Sequence, residues 1–124
     1  MKQLLFIFSL IVVSTVQVFS RSQVDTLSVY SPKMHKDIKN VVIVPENYSE
    51  KTKYPVVYLL HGYSDNYAKW VKTVPAIKTL ATQHQLIIVC PDGGYSSWYL
   101  DSPVDSAFQY ETYITRELLP FIDS

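Results

Sequence analysis

Two short stretches of this sequence carry residues suited to chemistry. His61-Gly62-Tyr63-Ser64 follows an almost unbroken apolar run at residues 56–60, and Pro91-Asp92-Gly93-Gly94 follows a similar run at 86–90. Where such runs form parallel strands, ligands bind just beyond their carboxyl ends. Both stretches would then border one cleft. A glycine directly after a strand lets the backbone turn sharply, which brings the Tyr63 N–H close to whatever fills that cleft. Acyl transfer needs a donor of this kind, fixed and aimed at the oxygen of the attacked carbonyl. The same four residues also read as a tight turn with a capped histidine, and the motif alone favours that reading over the oxyanion one.

The stretch after residue 91 is rich in rings: Tyr95, Trp98 and Tyr99 lie within five residues of one another. On a loop at the ligand-binding end they form either a wall that stacks on an aromatic or sugar ring, or a lid over the sheet. Asp92 and Asp101 are placed to orient substrate hydroxyls or to cap turns. His35, His61 and His84 lack the close spacing of a zinc site, and Gly93-Gly94 lacks the third glycine of a dinucleotide fingerprint. The sequence therefore implies no metal and no cofactor. Its single cysteine, Cys90, follows Ile87-Ile88-Val89 and reads as a small buried strand residue with nothing nearby to activate a thiol.

These residues need a scaffold, and the hydrophobic pattern supplies an α/β one. Alternating residues at 24–30 and 39–44 read as half-buried strands, with Ser31-Pro32 as a turn between them. The runs at 56–60 and 86–90 are continuous and rich in β-branched and aliphatic side chains, as expected of strands buried on both faces of a parallel sheet. The segment between them is long enough for the crossover helix that parallel strands require. Ile77, Leu80 and Ala81 give that helix its apolar stripe, with Pro75 in its first turn. A final helix is expected from Ser106, with Ser106 and Gln109 as a capping box and Tyr110, Ile114, Leu118 and Phe121 facing the core. Pro120 is placed to kink it.

Composition narrows the classes further. The chain has 124 residues, with 11 basic side chains balancing 11 acidic ones, so nothing favours nucleic acid. Residues 1–20 differ from the rest. Lys2 precedes an apolar stretch, no charge follows until Arg21, and Val18-Phe19-Ser20 suits a signal peptidase. The expectation is a cleaved export signal and a domain at 21–124 that is secreted or periplasmic, with no stable membrane insertion after cleavage. An uncleaved anchor is the alternative, and polar Ser14, Thr15 and Gln17 weigh against it.

Taken together, Ser31-Pro32-Lys33-Met34, Val41 through Pro45 with Tyr48, Tyr54 through Gly62, Trp70, Val89 through Gly94, Trp98 with Asp101, and Tyr110-Glu111 through Pro120 resemble the esterase family of α/β-hydrolases. That family includes S-formylglutathione hydrolases, feruloyl and acetyl-xylan esterases, and mycolyltransferases, and the similarity covers residues 28–124. The resemblance implies a Ser-Asp/Glu-His triad, with the Tyr63 N–H as one oxyanion donor. It places His61, Gly62, Asp92, Gly93, Trp98 and Asp101 around a small-molecule or acylated-carbohydrate ester. The nucleophile of that fold sits in G-x-S-x-G. The glycines here are Gly62, Gly93 and Gly94 alone, so the motif cannot be written. The expected architecture is accordingly the N-terminal half of an α/β-hydrolase sheet, with about four strands and about two main helices, inactive by itself and left with an open edge at residues 56–60. A small carbohydrate-binding or interaction module built on the same fold is the alternative.

Overall fold

The structure, a computed structural model, describes residues 23–124, so the signal expected at 1–20 lies outside the described residues. The chain opens as a hairpin in which β1 (Val24–Ser31) and β2 (Lys36–Ile43) pair antiparallel, Val24 opposite Ile43 and Ser31 opposite Lys36. The turn between them is held by the Ser31 hydroxyl, which accepts the Met34 N–H at 3.1 Å. β2 starts earlier than the alternation of residues 39–44 suggests, because the tight turn lets pairing begin at once.

The buried runs form β3 (Val56–Tyr58) and β4 (Ile87–Pro91), which pair in parallel. In the four-stranded sheet the order is β1-β2-β4-β3, with β4 antiparallel to β2. β3 is shorter than the apolar run at 56–60, although the Leu59 N–H still reaches Val89 O at 2.8 Å. As expected, β3 is an edge strand. Val57 and Leu60 remain 38% and 41% exposed there, and a groove of about 280 Å³ lined by Val57, Leu59, Trp70 and Leu80 runs beside it.

The crossover consists of two short helices, α1 (Lys69–Thr73) and α2 (Ile77–Gln83), where the sequence suggests one. Pro75 accounts for the break. It disfavours helical geometry in the residue before it, and Val74 leaves the helix at φ −119°, ψ 87°. Pro75 thus precedes α2 instead of lying in its first turn.

The C-terminal helix begins at Tyr110, not at Ser106. Gln109 turns its amide Nε2 to Ser102 O (2.7 Å) and Asp105 O (3.0 Å), so no capping box forms. From α3 (Tyr110–Thr112) the chain passes through a π-helical segment, Tyr113–Leu118, into α4 (Leu119–Asp123). Pro120 has no N–H to give to a helical carbonyl and its ring crowds the turn before it; the wide π turn lies just ahead of it. The extra residue rotates the buried face. Tyr113 and Leu118 are fully buried, while Phe121, expected in the core, is 50% exposed.

Alternation along β4 separates two cores. Val89 joins Val29, Met34, Ile38, Tyr110 and Tyr113 on one face, whereas Ile88 and Cys90 join Val41, Ile43, Ile77 and Ala81 on the other. The C-terminal helix thus covers one side and α2 the other, the layering of an α/β domain. Burial pushes the Cys90 thiol up to about 11, consistent with a packing role.

Candidate active-site cleft

The sheet places the His61–Ser64 turn and the Asp92–Tyr99 loop side by side, beyond the parallel strands β3 and β4. His61 joins them. Its buried Nε2 accepts the Gly93 N–H at 2.9 Å, so the ring proton resides on Nδ1, which donates to Gly62 O at 2.8 Å. In that tautomer the 3.5 Å approach of Nε2 to Asp92 Oδ1 is not an ion pair; Asp92 Oδ1 instead accepts the Gly94 N–H at 2.8 Å. Both ring nitrogens are committed, and His61 acts as a brace, not a proton carrier.

A second tie is the Ser64 N–H, which donates to Tyr95 O at 2.9 Å, with Ser64 in the left-handed region at φ 62°. The turn is held from below by Tyr99, whose hydroxyl accepts the His61 N–H at 3.0 Å. Burial raises the Tyr99 phenol to about 12, partly offset by that hydrogen bond. Gly93 is required by this arrangement, since a Cβ there would fall within the Tyr99 ring. At Gly94 (φ 69°) a Cβ would come 2.8 Å from the Tyr110 hydroxyl. Ser97 fixes the loop from inside, donating to Gly93 O and accepting the Tyr99 N–H at 3.0 Å.

Between these ties lies a cleft of about 150 Å³ lined by His61, Gly62, Tyr63, Gly93, Gly94 and the loop 95–99. No acceptor among the described residues takes the Tyr63 N–H. The rings divide into two groups. Tyr99 is tucked under the loop, while Tyr63, Tyr95 and Trp98 are 56%, 63% and 72% exposed. Tyr63 stacks with Trp98 (6.1 Å between centroids, 26° between planes) and meets Tyr95 edge-on (5.0 Å, 66°).

Of the residues expected around a substrate, the cleft gathers His61, Gly62, Tyr63, Gly93 and Trp98, with Asp92 behind it. Asp101 lies elsewhere. Its carboxylate accepts the Thr112 N–H at 3.0 Å and the Thr112 hydroxyl at 2.6 Å, anchoring the start of the C-terminal helix. Burial opposes its ionisation, but the Thr112 bonds outweigh that and hold it below the usual carboxylate range. Tyr99 was legible only as one aromatic among three, and no sequence signal marked its bond to the His61 backbone. Ser96 and Ser97 line the cleft, yet the one histidine there has no free nitrogen.

The family model described as "Putative esterase" matches residues 31–124. This chain belongs to the esterase family. It is 34% identical over 87 residues to an esterase of Mycobacterium tuberculosis, covering 67% of this chain and 19% of that protein. It is 34% identical over 122 residues to a diacylglycerol acyltransferase/mycolyltransferase of Mycobacterium avium, covering 90% of this chain and 35% of that protein. Among solved structures, a ferulic acid esterase superposes with a TM-score of 0.68 at 27% identity, covering 81% of this chain and 42% of that one. An S-formylglutathione hydrolase from Agrobacterium tumefaciens shares the fold at a TM-score of 0.69 and 22% identity, covering 81% and 43%. The chain thus spans less than half the length of these relatives, and the sheet is part of an α/β-hydrolase fold. No helix among the described residues is long and apolar enough to cross a membrane.

Proposed function

We propose that this chain forms the oxyanion-binding side of a carboxylic-ester hydrolase and does not hydrolyse esters by itself. The observation that carries this is the uncommitted Tyr63 N–H, on a turn that His61 and Ser64 tie to the facing loop. A donor fixed before the reaction stabilises a developing alkoxide without reorganising. The nucleophile has to come from a G-x-S-x-G turn, which this sequence does not contain, and His61 has no nitrogen free to serve a serine. The substrates are small esters, and the product is exported by the segment at 1–20.

Purified chain assayed with p-nitrophenyl acetate is expected to give no serine-dependent turnover. Hydrolysis abolished by Ser64→Ala or Ser96→Ala would sink this reading. Reading the DNA downstream for G-x-S-x-G, an acid and a histidine tests its other half. N-terminal sequencing of exported product is expected to begin near Arg21.

A further inference from the structure

We infer that His61 is an acid-operated release: a proton on Nε2 severs the tie to the facing loop, keeps the tie to its own turn, and pairs the ring with Asp92. This property belongs to the brace alone and is independent of what the cleft binds. The two ring nitrogens respond unequally to acid. Nδ1 already donates to Gly62 O at 2.8 Å, and it remains a donor in the imidazolium. Nε2 accepts the buried Gly93 N–H at 2.9 Å, and its lone pair is what a proton from water takes up. Two N–H groups would then face each other across that distance. The Gly93 arm must part while the Gly62 arm holds.

A receiver for the new N–H is already in place. Asp92 Oδ1 lies 3.5 Å from Nε2, and a small turn of the ring closes this to the roughly 2.7–2.9 Å of a charge-assisted bond. Oδ1 also accepts the Gly94 N–H at 2.8 Å, and a carboxylate has acceptor sites for both. The imidazole is 2% exposed, so its charged form needs a partner of opposite sign to stay inside a folded chain. The other ionisable neighbours do not supply one. Tyr99 meets the ring edge-on at 5.5 Å and accepts the His61 N–H, and Cys90 is buried in β4. Tyr110 reaches Gly94 from the C-terminal helix and accepts from Lys36 Nζ. Asp65, beyond Gly62, is paired with Lys69 at 3.1 Å. In acid the Gly93 N–H loses its acceptor and residues 93–94 move off the turn, while the bond from Ser64 N–H to Tyr95 O keeps the rim closed. The cleft loosens without unfolding.

The test is a nitrogen-15 NMR titration of the full chain from about pH 8 to about pH 5, the range in which histidine ordinarily changes charge, with far-UV circular dichroism at each point. Scalar coupling between the Gly93 amide nitrogen and His61 Nε2 reports the tie directly. It is expected at the upper end and lost in acid, with Nε2 moving to the shift of a protonated nitrogen, the Nδ1 proton retained and the circular dichroism unchanged. Asp92→Asn removes the counter-charge but keeps an oxygen for the Gly94 N–H, and its coupling is expected to survive to lower pH than that of the wild type. Coupling that persists until the chain unfolds would overturn the release, as would loss of the Nδ1 bond to Gly62 in step with it. Loss at the same pH in Asp92→Asn would overturn the pairing with Asp92. The wild-type titration needs no variant to fold.

Discussion

His61→Ala isolates the brace that positions the cleft. The substitution removes the acceptor of the buried Gly93 N–H and the donor to Gly62 O. These losses are unequal. Gly62 is exposed, so water replaces its partner and the cost is near the low end of a net hydrogen bond, about 0.5 kcal/mol. Gly93 is buried, so its orphaned N–H costs about 1–3 kcal/mol, and loss of the packed imidazole adds to that. A total of about 2–4 kcal/mol is a large share of the roughly 5–15 kcal/mol that stabilises a domain. At a urea slope of about 2 kcal/mol/M the unfolding midpoint is expected to fall by about 1–2 M. The position of the two nitrogens sets an order among variants. Gln can present an oxygen near the Nε2 position and keep the Gly93 bond, whereas Asn reaches only Gly62 O, so His61→Gln is expected to recover more stability than His61→Asn. Hydrogen exchange at the Gly93 amide provides the local readout, faster in His61→Ala and His61→Asn. A His61→Ala midpoint within experimental error of the wild type, or Asn rescuing as well as Gln, would refute the brace.

Three further outcomes can be checked together. Gly93→Ala forces a methyl into the Tyr99 ring and is expected to cost about 1–3 kcal/mol by overpacking; in a Tyr99→Leu background the cost shrinks, as a double-mutant cycle measures. Val57→Lys on the open edge strand is expected to reduce concentration-dependent light scattering, since charge blunts exposed sheet edges, and unchanged scattering would count against edge-driven association. Burial raises Cys90 to about 11 and Tyr99 to about 12, so the unfolded chain releases these protons first. Their contribution is fully present below the unfolded values near pH 9 and 10 and is lost as pH rises through 11 and 12. Urea midpoints should therefore decline from about pH 9 upward, and Cys90→Ala should remove the lower part of the decline.

The parallel pair and the turn beyond it were legible because their signals are local: continuous β-branched runs, then a histidine and a glycine where the backbone must bend. The placement of β3 at an edge followed from the family's strand order. What the sequence concealed depends on counting residues through a helix. One extra residue in the π segment moves Tyr113 into the core and Phe121 out of it, and a 3.6-residue period cannot register an insertion of that kind. Pro75 was recognised as a helix-start residue, but its effect on Val74 divides the crossover into two helices. Asp101 was ambiguous for a different reason. A loop carboxylate can serve a ligand or a helix end, and only the position of Thr112, eleven residues along the chain, decided between them.

Trp98 and Tyr99 occupy left-handed backbone in succession, at φ 54° and 56°. Neither is glycine, and each such residue costs on the order of 1–3 kcal/mol. The successive twists send one ring outward to solvent and the next inward beneath the turn. A laboratory selection rewarding heat resistance alone should accordingly recruit glycine or asparagine at position 98 early, trading the outward-facing indole for a relaxed chain. Descendants from such an experiment would be sturdier and would have lost the ring that stacks on Tyr63.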